Sequence, residues 1–89
     1  MASYALMKFR INNDFFDWEQ AFYSAQPMAR NAGIIEIFHG RTEEDPQVCM
    51  VLAQISSKAA MEEFFENAKD AVAASGHILE TTEITMLNN

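Results

Sequence analysis

The stretch Val48-Cys-Met-Val-Leu-Ala-Gln-Ile55 is apolar at every position but one, and Ser56-Ser57 follows it directly. An apolar run of this length between polar turn residues is typical of a strand, and near-continuous apolarity is typical of a strand that is covered on both faces of its sheet. Helices of the same chain can cover one face. We expect something from outside the chain to cover the other.

The chain before this stretch predicts a strand, a helix and a second strand. Tyr4 to Ile11 alternates in polarity as a strand does. A helix is predicted from Asp14 to Asn31, because capping side chains precede aromatic and alanine residues at three- and four-residue spacings. Pro27 lies inside that helix and predicts a kink or break around Ser24 to Gln26, since its nitrogen cannot donate a hydrogen bond. Ile34 to Arg41 is the second strand.

The chain after it predicts one more helix and one more strand. Ser56-Ser57 caps a helix that Gly76 ends. Ile78 to Leu87 is the last strand, with a broken alternation at Glu80 to Glu83 that indicates a bulge. The order is therefore βαββαβ within a single domain, residues 1–89. Right-handed crossovers place both helices on one face of a four-stranded antiparallel sheet in the order 4-1-3-2, the ferredoxin-like α+β arrangement.

Size and composition point to a second copy of the chain as the missing cover. A domain of 89 residues and 10.1 kDa has a small core, yet 49% of its residues are hydrophobic. In the predicted sheet the alternation of the first strand places Ala5, Met7, Phe9 and Ile11 toward the helices. Its other face carries Tyr4, Leu6, Lys8 and Arg10. We therefore predict a homodimer that packs sheet against sheet.

The charge and the cysteine count exclude several classes of function. Six basic residues against thirteen acidic ones give a net charge of −7, which repels nucleic acid and anionic membrane surfaces. One cysteine can form neither an internal disulfide nor a zinc knuckle. No apolar run approaches the roughly 20 residues of a membrane span. The first residues lack the apolar stretch of a signal peptide, so a cytoplasmic protein is expected.

The pattern resembles a known superfamily. The βαββαβ order, the aromatic first helix with Trp18 and Phe22, the turn Ala32-Gly33-Ile34 and the apolar third strand before Ser56-Ser57 are similar to those of dimeric α+β barrel proteins. That superfamily contains the antibiotic-biosynthesis-monooxygenase-like domains and many short bacterial proteins of unassigned function. The resemblance implies a homodimer and permits cofactor-independent chemistry. Haem-degrading relatives place a histidine on the second helix, whereas residues 58–75 contain none.

The predicted topology brings three strand ends to one edge of the sheet, called the top edge below. If odd-numbered residues of the second strand share the inward face of the first, then Ile35, Ile37 and His39 point toward the helices. A cleft between the first helix and the sheet, with His39 near its mouth, is the predicted ligand site. The helix N-terminus and two arginines favour an apolar ligand with a carboxylate or phenolate. The predicted ligand-binding residues are Trp18, Phe22, His39, Phe15, Arg41 and Arg10.

The two histidines carry different predictions. His39 is the best candidate for a catalytic acid or base, and the alternative is a strand-end histidine bonded to solvent or backbone. His77 follows the C-capping glycine of the second helix, so a helix-end cation is the favoured interpretation. The histidines lie on opposite edge strands, about 14 Å apart at roughly 4.8 Å per strand, and cannot share a metal. No metal site and no cofactor are predicted, and Cys49 is expected to be an inert core thiol.

Three functions remain open on the sequence alone. The first is a homodimer that binds a small, partly apolar molecule in the cleft. The second is a cofactor-independent monooxygenase or isomerase of the antibiotic-biosynthesis-monooxygenase-like type, which the resemblance permits. The third is a purely structural or interaction module, in which Trp18, Phe22 and Phe15 fill the cleft. Fold alone does not choose among them.

Overall fold

The computed structural model describes residues 2–89, which form four strands and two helices in the predicted order. Across the sheet the strands follow the order second, third, first, fourth of the chain, and all neighbouring strands are antiparallel, which confirms the ferredoxin-like arrangement. None of the helices in the described part of the chain is long and apolar enough to cross a membrane. The elements are β1 (Ser3–Ile11), α1 (Phe15–Asn31), β2 (Ile34–Arg41), β3 (Val48–Ile55), α2 (Lys58–Ala74) and β4 (His77–Asn88).

Both helices begin at the predicted capping residues. The Asp14 carboxylate accepts a hydrogen bond from the backbone of Phe16 at the start of α1, and the Ser57 hydroxyl accepts one from Ala60 at the start of α2. Gly76, after α2, has a φ of 108° and lies against the side chain of Asn13. Only glycine suits that position, because a Cβ would clash with Asn13 and the backbone is left-handed.

Of the two outcomes predicted at Pro27, a kink or a break, the break does not occur, since α1 runs through this residue as one helix. Pro27 lies in the last turns of α1, where its missing N–H deprives only the carbonyl of Tyr23. Side chains supply additional donors nearby. Gln26 Nε2 donates to the carbonyl of Phe22 at 3.1 Å, and the Ser24 hydroxyl donates to the carbonyl of Gln20 at 3.0 Å.

The core lies between the helices and one face of the sheet, called the inner face below. Alternate residues of β1 and β3 are buried on it, and the residues between them point to the opposite, outer face. The register places Leu52 of β3 between Leu6 of β1 and Phe38 of β2. The buried strand residues are Ala5, Met7, Phe9, Ile11, Cys49, Val51, Ala53 and Ile55. The apolar residues of the outer sheet face include Tyr4, Leu6, Ile35, Phe38, Met50, Leu52 and Leu87, and the polar residues Lys8, Arg10, Gln54 and Glu83 lie on the same face.

A bulge in β2 decides which of its residues face the helices. Glu36 pairs with Ala53 and Phe38 with Leu52, so Ile37 is an extra residue without a partner. Ile35, before the bulge, is on the outer face. The predicted inward orientation of Ile35 and Ile37 is therefore wrong, and both are about half exposed (50% and 51%). His39 does face the helices, because the extra residue reverses the alternation after Glu36.

The predicted irregularity in β4 is present. Glu83 pairs with Lys8 and Ile78 with Arg10, so residues 79–82 lie opposite Phe9 alone. The loop that they form returns the Thr81 hydroxyl to accept a hydrogen bond from the backbone of Arg10 at 2.9 Å. This loop brings the Thr82 hydroxyl to within hydrogen-bond distance of His77, the first residue of β4.

Candidate functional site

A cavity of about 350 Å³ lies between α1, α2 and the inner face of the sheet. Trp18, Phe22 and Ala25 of α1 form one wall, and residues of α2 form the other. Its floor is made by inward residues of β1 and β3, and it is partly open to solvent. The volume falls in the range of small-molecule sites. The α2 wall consists of Phe64, Phe65, Ala68, Ala71 and Val72.

Two ionisable side chains interrupt this apolar wall, Glu36 of β2 and His77 of β4. The His77 ring stacks on Phe9 at 3.8 Å with nearly parallel planes, and its Nε2 shares a hydrogen bond of 2.6 Å with the Thr82 hydroxyl. The residue is only 8% exposed. Burial lowers the pKa of His77 to about 4, so the ring is neutral at physiological pH. It is a wall residue of the cavity and not the helix-end cation predicted from its position after Gly76.

Glu36 is held by a neighbouring imidazole. His39 Nδ1 lies 3.0 Å from Glu36 Oε1, and its Nε2 lies 2.6 Å from Glu19 Oε2 on α1. Carboxylates only accept hydrogen bonds, so a ring that bonds one at each nitrogen must donate from both and be an imidazolium. The three residues Glu19, His39 and Glu36 are called the clamp below. The clamp ties α1 to β2 beside the cavity.

Burial and the two neighbouring carboxylates shift the pKa of His39 in opposite directions. Burial by itself lowers the pKa of His39, but the hydrogen bonds to Glu19 and Glu36 and the charges of both carboxylates outweigh it, so the pKa is raised above 6.5. The Tyr23 hydroxyl, from one turn farther along α1, donates to Glu19 at 3.4 Å, and the Tyr23 ring meets the imidazole edge-on at 5.4 Å. The strand-end interpretation, with His39 bonded to solvent or backbone, does not describe this geometry.

The structure separates the residues predicted to form one ligand site. Trp18 and Phe22 lie on the cavity wall, whereas Phe15 packs against Trp18 at 5.6 Å without lining the cavity. His39 is not a lining residue but contacts two wall residues, Glu36 through a hydrogen bond and Phe22 with ring centres 4.8 Å apart. Arg41 sits at the top edge over the ring of Phe15, 5.0 Å from its centre.

Arg10 lies on the opposite side of the sheet from the cavity. It pairs with Val48 in the register, and its guanidinium forms a half-exposed ion pair of 3.0 Å with Asp45. The alternation of β1 requires this, because Arg10 lies between the buried residues Phe9 and Ile11. The positive charge predicted for the site is therefore not on the cavity wall.

Sequence reasoning missed Glu19, Glu36 and His77 as site residues. Glu36 and His39 are three apart, which places them on opposite faces of a regular strand. Only the bulge at Ile37 brings them together. Glu19 follows Trp18 directly on α1. Its position beside the aromatic residues of that helix is the one sequence feature that could have indicated a role in the site.

Other candidate groups carry no site. Burial raises the pKa of the Cys49 thiol to about 11, in agreement with an inert core thiol. In the part of the chain that the structure describes, no three His, Cys, Asp or Glu side chains are grouped as a metal ion would need.

The clamp predicts an alkaline loss of stability. Because the folded-state pKa of His39 is raised, the stabilisation is complete below pH 6.5 and is lost as the pH rises through that higher pKa. His39→Gln, which does not titrate, is expected to lack this slope and to lower the free energy of unfolding by about 1–2 kcal/mol at pH 6. Urea unfolding at a series of pH values from 6 to 8.5 measures both the pH dependence and the difference in the free energy of unfolding. Parallel curves for the two proteins would contradict an imidazolium at this position.

The comparisons with known proteins give the family of this chain. A family model described as a domain of unknown function, DUF3764, matches residues 2–89. The chain belongs to the DUF3764 family. No curated protein matches this member of the family in sequence.

Solved structures similar to this DUF3764 domain share its fold at low sequence identity. A Bordetella bronchiseptica protein, provisionally assigned as an antibiotic biosynthesis monooxygenase, has a TM-score of 0.77 at 14% identity and covers 99% of this chain and 96% of its own. SnoaB, a cofactor-independent oxygenase from Streptomyces nogalater, has a TM-score of 0.68 at 13% identity, covering 99% and 92%. Protein SO0527 from Shewanella oneidensis has a TM-score of 0.64 at 19% identity, covering 99% and 90%. The DUF3764 chain therefore has the ferredoxin-like fold of antibiotic-biosynthesis-monooxygenase-like proteins.

Proposed function

We propose that the protein is a homodimer that binds a small, largely apolar molecule in the cavity between its two helices and its sheet. The observation that carries the proposal is the volume of about 350 Å³ beside Trp18 and Phe22, with a wall that is mostly aromatic and aliphatic. A purely structural module would fill this space with its own side chains, because unfilled apolar volume lowers stability. The cavity therefore supports binding over the structural alternative.

The outer sheet face supports the homodimer. Phe38 and Ile35 are 65% and 50% exposed, and Leu52 lies between Phe38 and Leu6 in the register. Contiguous apolar surface on a soluble protein marks an interaction site. A second copy is the occupant that the resemblance to dimeric α+β barrels implies, and a two-fold axis through the face would bring the same patch from each copy together.

Filling the cavity is expected to abolish ligand binding. Ala68 projects from α2 into the cavity, and Ala68→Phe places a ring where the ligand would lie. We expect the affinity for 4-tert-butylphenol, a compact apolar probe, to fall at least tenfold. Calorimetry and the fluorescence of Trp18, the single tryptophan of the chain, both report the binding.

The matched control for this experiment is Ala73→Phe, since Ala73 is an exposed residue of the same helix that does not line the cavity. It should bind the probe as the wild type does. Equal binding by Ala68→Phe and wild type would contradict the cavity as the site, and so would the absence of any binding at millimolar probe.

The second candidate function is a cofactor-independent oxygenase or isomerase. Glu36 favours it, because a carboxylate held by an imidazolium on a mostly apolar wall can take a proton from a bound hydroxyl group. The fold shared with the oxygenase SnoaB supports the same alternative. Dioxygen uptake or isomerisation of a bound phenol by the wild type, with neither in Glu36→Gln, is the result that would favour catalysis over binding alone.

A further inference from the structure

We propose that Glu36 determines the class of ligand, selecting a neutral molecule with an apolar body and one hydroxyl donor directed at the Glu36 carboxylate. This inference rests on the proposed function, because it concerns the same cavity. It assigns to Glu36 the polar contact that orients the ligand and to the clamp the rejection of anions.

The Glu36 carboxylate has hydrogen-bond acceptor positions left for a ligand. Its Oε1 bonds to His39 Nδ1 at 3.0 Å, and a carboxylate offers about four acceptor positions on its two oxygens. The side chain is about one fifth exposed and lines the cavity. A ligand hydroxyl that donates to this carboxylate would gain a charge-assisted hydrogen bond in apolar surroundings, where such bonds are strong.

The net charge beside the cavity disfavours an anionic ligand. The clamp holds two carboxylates and one imidazolium, so it carries one net negative charge. The cavity wall of residues 2–89 includes no lysine or arginine, and both Arg10 and Arg41 are directed elsewhere. A carboxylate ligand would lose its hydration, gain no cation and be repelled by Glu36. The charge thus disfavours the carboxylate or phenolate ligand predicted from the sequence.

Desolvation separates a neutral donor from a cation. An ammonium group would be attracted by the clamp, but it must leave water for a wall that is aromatic and aliphatic on most of its area. A hydroxyl group loses far less hydration and still forms the bond to Glu36. The neutral donor is therefore the class that the cavity fits best.

Four probes that share one apolar body test this order in the wild-type protein. The first, 4-tert-butylphenol, carries a hydroxyl donor, and 4-tert-butylanisole replaces it by an ether without a donor. The third, 4-tert-butylbenzoate, is an anion, and the fourth, 4-tert-butylbenzylamine, is a cation. We expect the phenol to bind at least tenfold more tightly than the anisole and the benzoate, and more tightly than the amine. Tighter binding of the benzoate or the amine, or equal binding of phenol and anisole, would overturn the inference while leaving the cavity as a binding site. If none of the four binds, the proposed function fails and this inference fails with it.

The variant Glu36→Gln tests the residue itself. We expect the benzoate to bind at least threefold more tightly than in the wild type and the preference for phenol over anisole to shrink, while the affinity for the anisole stays within twofold. Glu66→Gln is the matched control, since it removes the same charge from an exposed position on α2 whose side chain is 72% exposed. Identical changes in both variants would overturn the role of Glu36. If Glu36→Gln does not fold, the wild-type order of the four probes still decides.

Discussion

Leu52→Glu is expected to convert the proposed dimer of about 20 kDa, twice the chain mass of 10.1 kDa, into a monomer at micromolar concentration. Leu52 lies between Leu6 and Phe38 in the register of the outer sheet face. In a two-fold interface the substitution occurs on both copies, so two carboxylates would be buried in apolar contact without partners. We expect the dissociation constant of the dimer to rise at least 100-fold. Light scattering or sedimentation velocity measures the mass directly.

The control for this variant is Phe16→Glu. Phe16 is an apolar residue of α1 that is 58% exposed and lies in the helical layer, away from the outer sheet face. The variant Phe16→Glu introduces the same new charge and should leave the mass of the protein in solution unchanged. A wild-type mass of 10 kDa, or a Leu52→Glu protein that remains dimeric, would contradict dimerisation through this face. Circular dichroism of Leu52→Glu separates dissociation from unfolding.

Acid is expected to destabilise the protein through His77. The folded-state pKa of His77 is lowered to about 4 by burial, whereas an unfolded histidine has a pKa near 6.5. The unfolded chain therefore binds the proton first, and stability falls as the pH drops below 6.5 toward 4. The contribution of His77 to this loss is about 2 kcal/mol between pH 7.5 and pH 5 and about 3 kcal/mol at pH 4. Urea unfolding at constant protein concentration measures it.

His77→Gln removes the titration and keeps a side chain that can bond to Thr82. Its free energy of unfolding should change much less between pH 7.5 and 5 than that of the wild type, even if its absolute stability is lower. His39 titrates above pH 6.5 in both proteins, so its contribution cancels when the slope of His77→Gln is compared with that of the wild type. Equal slopes for His77→Gln and wild type would show that His77 does not remain neutral in the folded protein.

The arrangement of the elements was predictable because it depends on local signals. The alternation of β1 is unambiguous, since Ala5, Met7, Phe9 and Ile11 are separated by residues that include Lys8 and Arg10. Capping side chains at Asp14 and Ser57 and glycines after each helix mark the helix ends. Once these bounds are known, the handedness of crossover connections leaves few arrangements of a βαββαβ chain.

The orientation of β2 was not predictable from its own residues. Ile34, Ile35, Ile37 and Phe38 are apolar in both alternation classes, so polarity does not select an inward face. Pairing with β3 selects it, and the bulge at Ile37 then reverses it. The clamp depends on that reversal, because Glu36 and His39 would otherwise project from opposite faces of the sheet.

The effect of Pro27 on α1 and the existence of the cavity also depend on tertiary packing and not on local sequence. A proline inside a helix costs one hydrogen bond, and whether the helix breaks depends on what the surrounding contacts restore. Trp18 and Phe22 lie on the inward stripe of α1 in any interpretation of the sequence. Whether such rings fill the space beneath the helices or border an open volume depends on how far α1 stands from α2.

Local sequence patterns are sufficient to predict the six elements, their order, the ferredoxin-like sheet and the apolar residues of the outer sheet face. These follow from the periodicity and the capping of short segments, which act over a few residues. The folded chain is needed to show that Glu19, His39 and Glu36 meet and that His77 is a buried neutral ring on the cavity wall. It is also needed to show that Arg10 and Arg41 do not line the cavity. Those facts depend on strand register and on a single extra residue in β2, and each one is set by contacts between segments that are distant in the chain.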